Sequence, residues 1–124
     1  MKFSAEEVFN EIKSQAPKFG VPEDVARAFL LAENTADGKL KPGATFNGAA
    51  VSPKSARGVF QTLPSTEAAL QEQGLLPSGW KFSPTDLPGQ VSAGLAALKE
   101  MTGRQKNPGD MRELGAMYNG GTAS

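Results

Sequence analysis

The chain opens on a helical pattern. Ser4 is followed three residues later by Glu7, a pairing in which each side chain satisfies the other's free backbone N–H, and Val8, Ile12 and Ala16 then fall on one face. Pro17 is expected to stop this helix, because proline has no N–H to donate and crowds the preceding turn. Val21-Pro22-Glu23-Asp24 signals a second start, with proline near the first helical position and acids where the helix dipole favours them. Val25, Ala28, Phe29 and Ala32 repeat at helical spacing. The run is almost wholly apolar until it meets Glu33 and Asn34.

Asp37 to Ala50 has four Gly or Pro and no clean periodicity, so it reads as a loop. Val51 to Gly58 reads as a turn into the short apolar piece Val59-Phe60-Gln61. Ser65 is expected to cap a helix over Thr66 to Gln73, with Gly74 at its left-handed end. Leu75 to Pro88 holds three Pro, one Gly and the only Trp, Trp80, which is expected to anchor the connection. Val91, Leu95 and Leu98 mark a helix ending near Gly103. Asn107-Pro108 opens a last one, with Met111, Leu114 and Met117 inward and Tyr118-Asn119-Gly120-Gly121 at its end. With no internal repeat and no alternating strand of length, the expected class is all-α.

At 124 residues the chain is expected to form one domain, residues 1–124, its first twenty residues carrying the N-terminal helix. Thirteen Lys and Arg balance thirteen Asp and Glu. Zero net charge does not suit a protein that coats nucleic acid or anionic lipid, so neither is expected as a partner. No apolar run approaches the ~20 residues that span a bilayer, and Met1-Lys2-Phe3 followed by Glu6 and Glu7 does not read as a signal peptide. Cysteine and histidine are both absent. That removes thiolate nucleophiles, Ser-His-Asp catalysis and His-ligated zinc, and leaves carboxylates, Lys or Tyr for any proton chemistry.

Glu33 is the candidate that stands out. A carboxylate closing an apolar run, one turn after Phe29 and Leu30, emerges against apolar side chains, which raises its pKa and lets it hold a proton for donation. The plain alternative is a helix-end Glu exposed to water.

Three segments resemble, in order, the signatures of the soluble lytic transglycosylase family. They are Ala32-Glu33-Asn34, the stretch Ala50-Val51-Ser52-Pro53-Lys54-Ser55-Ala56-Arg57-Gly58-Val59-Phe60-Gln61-Thr62-Leu63-Pro64-Ser65-Thr66, and Met117-Tyr118-Asn119-Gly120-Gly121. The family pattern is Glu-Ser at a helix end, then Ser-x-x-Gly-Ala-x-Gly-Leu-Met-Gln-x-x-Pro-x-Thr, then Ala-Tyr-Asn-x-Gly. The similarity runs from about residue 21 to residue 121.

The resemblance implies a lysozyme-like helical fold with long loops lining a glycan cleft. It also implies cleavage of the β-1,4 bond between N-acetylmuramic acid and N-acetylglucosamine in peptidoglycan, ending in a 1,6-anhydromuramic acid. Glu33 is then the sole catalytic acid/base, and no metal or cofactor is implied. Gln61 corresponds to a cleft glutamine on the sugar near the cleaved bond, and Tyr118 to a tyrosine beside the acid. Ser52 is expected to brace the loop facing Glu33, Gly58 to permit close approach near the cleft, and Asn119 to fasten the helix end.

The sequence departs from the pattern at three places. Asn34 replaces the family serine, which changes how the acid or the substrate is held. Ser55 replaces a glycine. The connection from Glu33 to Ser52 is longer than the common form, and its extra length is expected to wall or cover the cleft. Asp37 in that loop offers a second carboxylate, which would permit water attack and a muramidase outcome. A non-catalytic wall-binding or virion module is the reading from a different class. The short chain suits a phage enzyme carried in a virion or acting at the bacterial wall, as a monomer on glycan strands.

Overall fold

The computed structural model describes the backbone of residues 1–120 and side chains through Tyr118. Seven elements follow in order: β1 (Lys2–Ser4), α1 (Ala5–Phe19), α2 (Glu23–Asn34), β2 (Thr45–Asn47), α3 (Pro64–Glu72), α4 (Leu87–Arg104) and α5 (Met111–Gly120). The chain is mostly helical, as expected, with one small two-stranded sheet.

α4 forms the centre, packing against α1, α2, α3 and α5. Its sequence allows this because small residues alternate with large ones. Ala93, Gly94, Ala96 and Ala97 let neighbours approach, while Leu95 and Leu98 fill the space between them, and all six are buried. A Cβ on Gly94 would lie 2.3 Å from the Phe60 ring, so that glycine is required by the packing. Full burial of each leucine contributes roughly 1.5–3 kcal/mol.

α1 begins as the sequence predicts, with Ser4 Oγ accepting from Glu7 N and Glu7 Oε1 accepting from Ser4 N, both at 3.1 Å. Pro17 does not stop it. One lost backbone bond this close to the end is tolerated, and the helix runs to Gly20, whose φ of 68° turns the chain out. α3 starts at Pro64, in the first turn where its missing N–H costs nothing, so Ser65 is not the cap. α4 starts at Leu87, four residues ahead of the first periodic position, because Asp86 Oδ1 accepts from Gly89 N at 3.0 Å.

The stretch 37–50 is not wholly irregular. β2 pairs antiparallel with β1, Phe3 opposite Phe46, and both rings are buried. Three-residue strands are too short to show alternation in sequence. One inward assignment, that of Met111, is also corrected. Ala28 and Ala32 are exposed, the buried face of α2 being Ala26, Phe29 and Leu30. Met111 is 45% exposed while Leu114 and Met117 are buried.

Candidate functional site

Glu33 lies in the last turn of α2 and opens on a cleft of about 330 Å³, lined also by Ala28, Phe29, Ala32, Met111 and Gly115. The outward positions of α2 and the exposed Met111 of α5 are therefore the cleft walls. Among the described residues that line it, Glu33 is the one ionisable group. It is half-buried, and burial pushes its carboxyl above the usual range by stripping water from the charged form. Among the described residues no hydrogen bond or ion pair holds that carboxylate. A half-desolvated carboxyl holds its proton to higher pH than one in open water.

Tyr118, on α5, packs its ring on Phe29 with centroids 4.9 Å apart. Its hydroxyl donates to the Phe60 carbonyl at 2.5 Å. Burial, and then the negative charge of Glu33, push the phenol far above its ordinary range, so it stays protonated. Tyr118 is thus electrostatically coupled to Glu33, while its own proton is committed to Phe60. With Gln61, Thr62 and Thr66 it also borders a small cavity of about 20 Å³.

The remaining expected site residues work mainly on the chain itself. Asn34 Nδ2 donates to the Leu30 and Val59 carbonyls, each at 2.7 Å, tying the end of α2 to the 51–63 segment. Ser52 Oγ accepts from Ala56 N at 3.1 Å and Lys54 N at 3.3 Å, bracing its own loop. Gln61 stands at φ 52°, and its Nε2 donates to the Gly58 carbonyl at 2.9 Å and the Ala50 carbonyl at 3.3 Å. None of Asn34, Ser52 and Gln61 is among the residues lining the Glu33 cleft. The side chain of Asn119 lies outside the described residues. Trp80 anchors its connection, donating from Nε1 to the Gly89 carbonyl at 3.0 Å.

Asp37 sits beyond the end of α2 and is exposed. Its carboxylate meets Lys41 Nζ at 3.0 Å and accepts from Lys39 N at 3.0 Å, and these two partners hold it below the usual range. No residue of 37–50 lines the Glu33 cleft. The longer loop therefore does not wall it; pairing with β1 draws the loop toward the start of the chain.

Sequence reasoning missed two polar hubs that hold the segment 48–62. Gln90, buried in α4, donates from Nε2 to Gly48 O at 3.0 Å and Ser83 O at 2.8 Å, and its Oε1 accepts from Val59 N at 2.9 Å. Gly58, at φ 83°, is needed here, since a Cβ would come within 2.7 Å of Gln90 Oε1 and 2.9 Å of the Phe82 ring. The close approach expected of Gly58 is thus to the core. The second hub is Glu67, 3% exposed, which accepts from Arg57 Nη2 at 2.5 Å and Thr62 Oγ1 at 2.7 Å. The Arg57 guanidinium lies over the Phe82 ring, 4.6 Å from its centroid. Neither hub leaves a local signal, because each partner comes from another element.

Other open clefts exist, of about 370 Å³ between α3 and α4 and about 490 Å³ beside residues 40–45. The first carries Glu100 and Arg104, already paired with each other, and the second has Lys41, paired with Asp37. Among the described residues no group of three acids could hold a metal ion. The fold and site together define a small, mostly helical domain with a half-desolvated carboxyl facing an open apolar cleft. No family profile, no curated protein and no solved structure matches this chain.

Proposed function

We propose that this chain is a peptidoglycan lytic transglycosylase with a lysozyme-like helical fold and Glu33 as its general acid/base. The observation that carries the reading is the Glu33 carboxyl itself, half-buried, without a described partner and raised in pKa at an open cleft. The resemblance of residues 50–66 adds to it. Ser55, in the place of a family glycine, adopts a φ of 70°, the left-handed conformation for which glycine is the usual residue.

The reaction follows from one acid. Glu33 gives its proton to the glycosidic oxygen, and the bond from that oxygen to the muramoyl C1 breaks. The substrate's N-acetyl group stabilises the positive charge left at C1. The Glu33 carboxylate then takes the proton from the C6 hydroxyl of the same ring as O6 bonds to C1, closing the 1,6-anhydro ring and restoring the acid. An intramolecular nucleophile has a high effective concentration and needs neither a placed water nor a second carboxylate. Asp37, paired with Lys41 outside the cleft, supplies no argument for water attack. In this reading Tyr118 and Gln61 are positioning residues, since their polar groups bond main-chain carbonyls and neither lines the Glu33 cleft. Asn34 and Ser52 are positioning residues for the helix end and the loop.

Mass spectrometry of the soluble products from purified peptidoglycan tests the reading, with Glu33→Gln run in parallel. Fragments ending in 1,6-anhydromuramic acid, lost with the substitution, are expected. Reducing ends would make the chain a muramidase. Binding without fragments, from folded protein, would leave a wall-binding module.

A further inference from the structure

Pro64, Glu67, Ala68 and Gln71 fall on one face of α3 and open on a cleft of about 300 Å³. Arg57 and the segment Trp80-Lys81-Phe82 close it from the other side, and none of these residues lines the Glu33 cleft. The neutral donors in it are already committed. Gln71 Nε2 donates to the Pro77, Ser78 and Trp80 carbonyls, each at 3.0 Å, and Trp80 Nε1 donates to Gly89. Little is left to hold a sugar hydroxyl.

What remains unspent is positive. Only Nη2 of Arg57 enters a described hydrogen bond, to Glu67, so Nη1 keeps its donors while the guanidinium lies over the Phe82 ring. Lys81 is exposed and enters no described ion pair. Glu67 balances Arg57, and Lys81 leaves the cleft with positive charge in excess. The main chain is unspent as well. Lys81 and Phe82 lie outside helix and strand, and neither their N–H nor their C=O groups enter a described main-chain hydrogen bond. Beside these groups the half-buried Trp80 and Phe82 supply apolar surface.

We propose that this cleft is a binding site distinct from that of Glu33, and that it takes the C-terminal carboxylate of a peptide whose last side chain is small and apolar. The carboxylate meets the planar donors of Arg57 and the ammonium of Lys81, which are the charge-assisted partners such a group recognises. The peptide main chain pairs with the open N–H and C=O groups of Lys81 and Phe82. Its terminal side chain covers the Trp80 and Phe82 rings. A cleft of about 300 Å³ is at the small end for a ligand site, so only the last residues of the peptide enter it. Nothing in this binding depends on the reaction at Glu33.

Trp80 is the only tryptophan, so its fluorescence reports on this cleft alone. The test titrates the wild type with N-acetyl-alanyl-alanine, carrying a free C-terminal carboxylate, and with its C-terminal amide as the matched uncharged probe. The backbone amide resonances of Lys81 and Phe82 are followed by NMR in the same titrations. The acid is expected to give saturable changes at Trp80 and at both amides. The amide form is expected to bind about tenfold more weakly, the scale of one lost charge-assisted hydrogen bond. Lys81→Glu is expected to weaken the acid by a similar factor with an unchanged thermal melt, since Lys81 is exposed. Lys13→Glu, on α1 and outside the cleft, and Glu33→Gln are expected to bind as the wild type does. Should Lys81→Glu fail to fold, Lys81→Gln carries the charge test. No saturable response from the wild type, equal binding of acid and amide, or unchanged binding in the folded Lys81 variant overturns the inference. Inorganic phosphate binding more tightly than the peptide also overturns it, and makes the cleft a phosphate site. Each of these failures leaves the transglycosylase reading standing, because that reading is tested on glycan products alone.

Discussion

The Tyr118 hydroxyl donates to the main-chain carbonyl of Phe60 at 2.5 Å, joining α5 to a loop segment fifty-eight residues earlier. The same tyrosine packs on Phe29, whose other neighbours include the cleft of Glu33. One side chain therefore ties the wall of the cleft to the segment that carries Gln61.

Tyr118→Phe keeps the ring and removes the bond, leaving the Phe60 carbonyl without its donor. We expect a loss of about 1–2 kcal/mol in urea unfolding. In the proposed reaction, activity should fall several-fold but persist, since the phenol proton belongs to Phe60 and not to the substrate. Loss as complete as that of Glu33→Gln would show that the hydroxyl acts directly on the reacting groups.

Glu33→Gln should remove product formation, a general acid contributing about 10²–10⁴-fold. Its effect on stability has a definite sign. A carboxyl raised in the folded state destabilises the fold only when ionised, so the penalty is absent below the ordinary value of 4.5 and complete above the folded pKa. Glu33→Gln should therefore be more stable than wild type at pH 7 and gain nothing at pH 4. Urea unfolding at the two pH values measures it, and an equal effect at both would contradict a desolvated carboxyl. The proposed activity should likewise decline as pH rises through the raised pKa, because the reactive form is the protonated acid.

Asn34→Ala removes both bonds from Nδ2, leaving the Val59 carbonyl without its donor from α2. We expect a loss of about 1–3 kcal/mol. Asn34→Ser, which restores the residue of the family pattern, is too short to keep the Val59 bond and should recover only part of that loss. Unchanged stability in both would show that the tie does not hold in solution.

The Arg57–Glu67 pair should respond asymmetrically. Arg57→Ala leaves the buried Glu67 carboxylate with Thr62 alone, at a cost of about 3 kcal/mol, the low end for a buried pair because Arg57 is about one-third exposed. Replacing both by leucine should be milder than the single change. A double-mutant cycle with no coupling would refute the pairing.

Much of the helical frame was legible locally. Ser4 with Glu7, Pro22 ahead of Glu23 and Asp24, and the left-handed Gly74 all mark helix ends by interactions within a few residues. Pro17 misled because its penalty depends on how much helix follows it. Of the candidate site, Glu33 was visible as a carboxylate ending an apolar run, and Ser52 as a loop brace. Gln61 and Asn34 were visible as residues but not in their bonds, since the carbonyls they serve are chosen by how loops fold back.

The starts of α1 and α2, the absence of His and Cys, and the single acid at the end of α2 were properties of the sequence alone, because caps, turns and composition act over short range. Tertiary structure decided which faces turn inward, sending Ala28, Ala32 and Met111 to the cleft and placing Gln90 under the loop 48–59. It also decided how far Glu33 loses water, since Met111 and Gly115 reach its cleft from the far end of the chain. Burial is a relation between distant segments, and no run of neighbouring residues encodes it by itself.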